Sequence, residues 1–135
     1  MKADFLRPLR TIALVLVSYI AAAICAAVLV LLLLDAAANM GEWLVGAIFI
    51  VLVAGFVPFV IAIGVLHRIR QTGWLAHTVA GLLVSLVAIL LIGPGMLANP
   101  LSLAENWPML VSGAAAGMIY WLVLRALDRM VPRPA

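Results

Sequence analysis

Long uncharged segments constrain this chain more than any other feature. The first runs from Thr11 to Leu34, 24 residues without Asp, Glu, Lys or Arg, and three more apolar uncharged segments follow it. A helix needs about 20 mostly apolar residues to cross the hydrocarbon core of a bilayer. The hydrophobic fraction of 68% and charged fraction of 10% also differ strongly from the roughly 45–50% and 25% of soluble domains. The sequence therefore predicts an all-α integral membrane protein.

Four spans account for most of the 135 residues, so we predict a single membrane domain that forms a four-helix transmembrane bundle. The predicted spans are approximately 11–34, 43–66, 75–92 and 109–124, with a loop at 67–74 between the second and third. Tryptophan is enriched at headgroup depth. Three tryptophans at predicted span starts are therefore expected to be interfacial anchors: Trp43, Trp74 and Trp107.

All eight basic residues lie on the same side of this predicted topology. Three precede the first span, two lie in the central loop and three follow the last span: Lys2, Arg7, Arg10, Arg68, Arg70, Arg125, Arg129 and Arg133. The positive-inside rule then places both termini and the central loop in the cytoplasm. Arg68 and Arg70 are predicted to anchor the topology beside anionic headgroups. Because the basic residues form no long block, membrane lipids are the predicted partners and nucleic acid is not.

Small residues recur every four positions in three of the spans. The sets are Ser18, Ala22 and Ala26 in the first span, His77, Gly81 and Ser85 in the third, and Gly113 and Gly117 in the fourth. Such residues let helix backbones approach closely in lipid, where packing drives association. We expect these faces to look inward. The GxxxG of the fourth span fits either internal packing or a homodimer seam.

Pro58 and His77 are the two candidate polar or gating positions. Proline removes a helical hydrogen bond, which makes Pro58 a candidate kink within the second span. His77 fits either a proton or ligand site or an interfacial histidine bonded to a carbonyl or headgroup. We find no nucleophile–base pair and no metal-ligand spacing, since no carboxylate or thiol joins His67 and His77. We predict no catalytic residue, no cofactor and no metal site.

An internal duplication is a further hypothesis. A shift of 67 residues aligns Thr11–Ala21 with Thr78–Ala88 and places Ser18 on Ser85. Two hairpins that enter from the same side would form a parallel repeat. Chance similarity between segments rich in Ala, Leu and Val is the alternative.

The stretch Gly117–Arg125 (GMIYWLVLR), together with the basic central loop 67–74 and its Trp74, resembles small uncharacterised four-span inner-membrane proteins of proteobacteria. That resemblance implies a bacterial inner membrane and no specific activity. The small multidrug transporters have a similar length, but their coupling glutamate has no counterpart between Thr11 and Leu34.

Three classes of function are compatible with the sequence. The first is a non-enzymatic accessory or scaffold subunit that packs against larger membrane proteins or copies of itself, as the small-residue faces and short loops indicate. The alternative is a small transporter or channel for an ion or amphiphilic solute. A lipid-modifying enzyme is least favoured, because the chain offers few acid or base groups at the membrane edge. No Asp, Glu, Lys or Arg lies in a predicted span, whereas intramembrane ionisable residues are the usual mark of ion and proton pathways.

Overall fold

The computed structural model describes residues 2–33, 40–92 and 105–130, and this part of the chain is helical. The long helices are α1 (Lys2–Leu33), α2 (Met40–Arg68), α3 (Trp74–Ile92) and α4 (Trp107–Met130). Each of these four is long and apolar enough to cross a membrane. The prediction of a multi-pass, all-helical membrane protein with four spans is thereby confirmed. The connections between the first and second predicted spans and between the third and fourth lie largely outside the described residues.

The helices extend beyond the predicted spans. Helix α1 is already helical at Lys2, and α4 continues to Met130 instead of stopping near position 124. Hydropathy detects only the apolar part of a membrane helix, whereas Arg, Ala, Leu and Met favour helix in the polar ends as well. Helix α2 is continuous through the buried Pro58, so the structure shows no break there.

A tight turn closes α2 and shortens the predicted loop 67–74 to residues 69–73. The amide of Gln71 donates to the Leu66 carbonyl at 3.1 Å, and the amide of Arg70 donates to the His67 carbonyl at 3.2 Å. These are the two bonds of a Schellman cap. Arg70 has a φ of 55° at the left-handed position of this cap, which usually holds glycine.

The helices form a ring in which each packs against two others. Helix α4 packs closely against α3 and nearly as closely against α1, whereas α2 makes the thinnest contacts, with α1 and α3. Among the described residues, the diagonal pairs α1–α3 and α2–α4 have no backbone contact. The two hairpins thus pack unequally, and the duplication stays a prediction.

Side-chain bonds bring three segments to the same end of the bundle. Arg10 of α1 forms an ion pair with Asp128 of α4 at 2.9 Å. The indole nitrogen of Trp121 donates to the carbonyl of Thr72, in the α2–α3 turn, at 2.7 Å. The start of α1, the α2–α3 turn and the end of α4 therefore share one end, and with them the basic residues of these segments.

Candidate functional site

The glycines of α3 and α4 lie at the closest helix contact in the bundle. A Cβ on Gly81 would lie 2.8 Å from the Gly117 nitrogen, and a Cβ on Gly113 would lie 2.7 Å from the Gly81 carbonyl oxygen. Real Cβ atoms do not approach other atoms so closely. Only glycine fits these positions, because backbone meets backbone directly.

The other two residues of the predicted α3 face, His77 and Ser85, lie in the same contact between α3 and α4. The carbonyl of His77 lies against Gly117, and the side chain of Ser85 lies against Gly113. The structure thus brings together all five residues of the two predicted faces on α3 and α4. This arrangement favours internal packing over a homodimer seam, since the GxxxG of α4 is covered by α3.

The small-residue face of α1 is also buried. Ser18 has no exposed surface, and Ala22 and Ala26 are buried beside it. The Ser18 hydroxyl donates to the carbonyl of Leu14, one turn earlier, at 2.7 Å. Its polar group is therefore satisfied within its own helix, and the face can pack without an unpaired donor.

An aromatic cluster joins all four helices at the centre of the bundle. The Tyr19 ring lies 4.3 Å from Phe59, and Phe59 meets Tyr120 edge to face at 5.1 Å. The His77 ring stacks on Tyr120 at 5.8 Å. Such offset and edge-to-face arrangements are favoured between aromatic rings. Sequence reasoning missed the cluster, although Tyr19 and Tyr120, the only two tyrosines, both lie in spans.

Tyr19 also attaches α2 by hydrogen bonding. Its hydroxyl lies 2.9 Å from the Leu52 carbonyl oxygen and 3.3 Å from that of Val51. Gly55 of α2 faces this hydroxyl, and a Cβ at Gly55 would lie 3.4 Å from it. Helix α2, which makes few backbone contacts with its neighbours, is thus held by the hydrogen-bonded Tyr19 and the aromatic rings around it.

A cavity of about 170 Å³, partly open to the surroundings, lies between the four helices. Most of its wall consists of small and branched apolar side chains and glycine. Five of its lining residues carry polar side chains: Tyr19, His77, Ser85, Ser112 and Tyr120. Among the described residues, no Asp, Glu, Lys or Arg lines it. The void occupies the space left between the diagonal helix pairs.

Three of these polar side chains bond to carbonyls of their own helix or its preceding turn. Ser85 donates to Leu82 at 2.8 Å, Ser112 donates to Met109 at 2.8 Å, and His77 Nδ1 lies 2.9 Å from the carbonyl oxygen of Gly73. A carbonyl oxygen only accepts, so Nδ1 carries the hydrogen, and in the neutral form of the ring Nε2 is an acceptor.

The predicted anchors lie at the helix ends. Trp43 is in the first turn of α2, while Trp74 and Trp107 begin α3 and α4 and are half-exposed. Arg68 ends α2 and Arg70 lies in the turn, both exposed. These positions allow contact with headgroups if the helices cross a bilayer.

Two further observations concern side chains that could bind a metal or react. Among the described residues, no group of three or more His, Cys, Asp or Glu is placed to hold a metal ion. Cys25 of α1 is an exposed free thiol.

No protein-family model, curated protein or solved structure matches this chain. The resemblance to small inner-membrane proteins of proteobacteria therefore stays a prediction, and function has to be inferred from the geometry of the bundle itself.

Proposed function

We propose that the protein is a non-enzymatic accessory or scaffold subunit of the bacterial inner membrane. In this role it packs through α2 against a larger membrane protein or a second copy of itself. The observation that carries the proposal is an exposed ridge of stiff apolar side chains along the helix that contributes least to its own bundle.

This α2 ridge consists of residues at every fourth position, and all six are between 52% and 73% exposed: Val45, Phe49, Val53, Val57, Ile61 and Val65. Residues four apart form one of the ridges by which helices interdigitate. Five of the six are β-branched, and such side chains already occupy nearly one rotamer in a helix. They therefore lose little conformational freedom when a partner helix packs against them.

The other exposed faces are less suited to a specific contact. On α3 the exposed set is rich in leucine, with Leu75, Leu82, Leu83 and Leu91, whereas the α2 ridge contains none. Leucine is flexible enough to adapt to lipid chains. The glycine and serine faces that often join membrane helices are already covered inside the bundle. On α1 the exposed row at every fourth position, Ile12, Leu16, Ile20 and Ile24, is only 42–55% exposed. Helix α2 is thus the surface that we favour for association in lipid, where packing supplies the driving force.

The proposed orientation has both termini in the cytoplasm. It is supported by the basic residues, which gather at one end of the bundle, since positively charged loops favour the cytoplasmic side. Arg68 and Arg70 at that end would contact anionic headgroups, and membrane lipids would surround the rest of the chain.

Site-specific photo-crosslinking in native membranes tests the α2 contact. A photoreactive residue at Val53, 59% exposed, is compared with one at Leu83 of α3, 51% exposed and also near mid-span. We expect a discrete protein adduct, of the chain with itself or with one partner, from Val53 and only lipid adducts from Leu83. Purification in mild detergent as a lone monomer, with no adduct from Val53, would contradict the proposal.

The second candidate is a small transporter or channel, which the central cavity favours. Because none of the described residues that line the cavity is Asp, Glu, Lys or Arg, an amphiphilic solute suits it better than an ion. Proteoliposome flux assays test this role. Uptake that is saturable and falls when Ala62 at the cavity wall is replaced by Leu would support transport, and absence of flux for every solute tested would contradict it.

A further inference from the structure

We infer that the central cavity is a binding site for one small neutral molecule, an apolar ring that carries a hydroxyl group. The site is separate from the α2 ridge, which lies on the outside of the bundle. Binding therefore does not depend on the proposed partner contact. The inference rests on the size of the cavity, on its wall and on two polar groups at its edge.

The cavity has the size of a single ring. Its volume is about 170 Å³, and an apolar cavity of about 150 Å³ in a protein takes up benzene. Water fills a cavity only where it finds two to four polar partners. Most of this wall is Ala, Gly, Val and Ile, so water is a poor occupant of the volume as a whole.

Two polar residues that are themselves deeply buried line this space, and each presents one polar atom that has no hydrogen bond. Tyr120 is 3% exposed and His77 is 9% exposed. Within residues 2–33, 40–92 and 105–130, neither the Tyr120 hydroxyl nor His77 Nε2 takes part in a hydrogen bond. Neither atom is completely enclosed by the protein, so each is open to a partner. A bound molecule that bonds to both gains hydrogen bonds that the apolar wall does not offer.

The chemistry of the two groups selects a hydroxyl. His77 Nε2 accepts, because Nδ1 carries the hydrogen bonded to the Gly73 carbonyl. The Tyr120 hydroxyl donates or accepts. A ligand hydroxyl can donate to Nε2 and accept from Tyr120, whereas a lipid acyl chain offers neither bond.

The wall excludes charge and favours an aromatic ring. A charged ligand would lose its hydration without meeting an opposite charge, since no Asp, Glu, Lys or Arg of the described part of the chain lines the cavity. Three aromatic rings do line it, those of Tyr19, Phe59 and Tyr120. Their faces and edges suit offset or edge-to-face packing against another ring. A phenol is the simplest molecule with all these properties.

Fluorine NMR of the full chain in lipid nanodiscs tests the inference. The probes are 4-fluorophenol and fluorobenzene, which differ in the hydroxyl, and empty nanodiscs measure partitioning into lipid. We expect saturable binding of 4-fluorophenol to the protein, with fluorobenzene weaker by roughly 4- to 100-fold, the contribution of two hydrogen bonds.

Two kinds of variant locate the site. Tyr120→Phe keeps the ring and removes the hydroxyl, so 4-fluorophenol should bind roughly 2- to 10-fold more weakly while fluorobenzene is unaffected. Ala62→Leu and Ala54→Leu place bulk into the cavity from α2, the most loosely packed helix, and should remove both probes. Helix content and the unfolding transition show whether each variant is folded, and any one folded cavity-filling variant is sufficient for the comparison.

Three results would overturn the inference. The first is uptake of 4-fluorophenol that is no greater with the protein than its partitioning into empty nanodiscs. The second is saturable binding that survives cavity filling in a folded variant, because the probe then lies elsewhere. The third is equal affinity for the two probes, which would remove the role of the hydroxyl and its partners.

Discussion

Replacing Gly81 by alanine is expected to destabilise the bundle by forcing α3 and α4 apart. The added Cβ would lie against the Gly113 carbonyl oxygen and within 2.8 to 2.9 Å of the Gly117 nitrogen and Cα. These are backbone atoms of the facing helix, so no side chain can rotate away to make room. Relief requires a movement of α4 as a whole.

The size of the effect follows from two opposing terms. Adding a methyl group to a closely packed interior costs about 1–3 kcal/mol. Alanine in place of glycine favours a helix by about 0.8–1.0 kcal/mol. Because the contacts involve two residues of backbone, we take the upper part of the first range and expect a net loss of about 2 kcal/mol. That loss is roughly a 30-fold change in the unfolding equilibrium.

Gly64→Ala on α2 is the matched control. Nothing lies within 4 Å of a Cβ at this position, so only the helix term applies and stability should rise by up to about 1 kcal/mol. The two variants are compared by titrating the protein in mixed micelles with a denaturing detergent and following far-UV circular dichroism. If Gly81→Ala shifts stability in the same direction as Gly64→Ala, the close approach of α3 and α4 is wrong.

Three further experiments test contacts elsewhere in the bundle. Tyr19→Phe removes the hydrogen bond to α2 and should cost about 1 kcal/mol, with faster amide exchange confined to α2; uniform exchange would contradict this. In a double-mutant cycle, Arg10→Gln and Asp128→Asn should show a coupling of about 0.2–1 kcal/mol that salt weakens; a coupling insensitive to salt would be unexpected. Arg70→Gly relieves a left-handed side-chain conformation and should stabilise by about 1 kcal/mol, measured by the same titration; a loss would contradict the cap geometry.

The spans were predictable because the signal for them is local. Twenty apolar residues in a row identify a membrane helix without reference to the rest of the chain. The ends of the helices were not predictable in the same way, since Arg125–Met130 is polar enough to look like a tail. There the helix is supported by a distant contact, the ion pair between Arg10 and Asp128, which are 118 residues apart.

The candidate site was less accessible to sequence reasoning. Spacing alone places Gly113 and Gly117 on one face of a helix, but it does not tell which helix lies opposite. The aromatic cluster needs Tyr19, Phe59 and Tyr120 to come from three helices at the same depth. No local pattern encodes that coincidence, and the cavity beside it is likewise a property of the assembled bundle.

The close contact between α3 and α4 and the central cavity have a common physical origin. Glycine lets α4 approach α3 until their backbones touch, and small residues of α1 let it approach α4 closely as well. Helix α2 cannot follow, because Phe59 meets Tyr120 at 5.1 Å and the ring of Tyr19 fills the space beside them. The bundle is therefore narrow around α4 and wider toward α2, and small side chains on the facing helices leave the difference unfilled. Filling the cavity from α3 or α4 would require larger residues where the close contact between these helices requires small ones. Ala54 and Ala62 of α2 lie outside that contact, so α2 is the side from which the cavity can be filled.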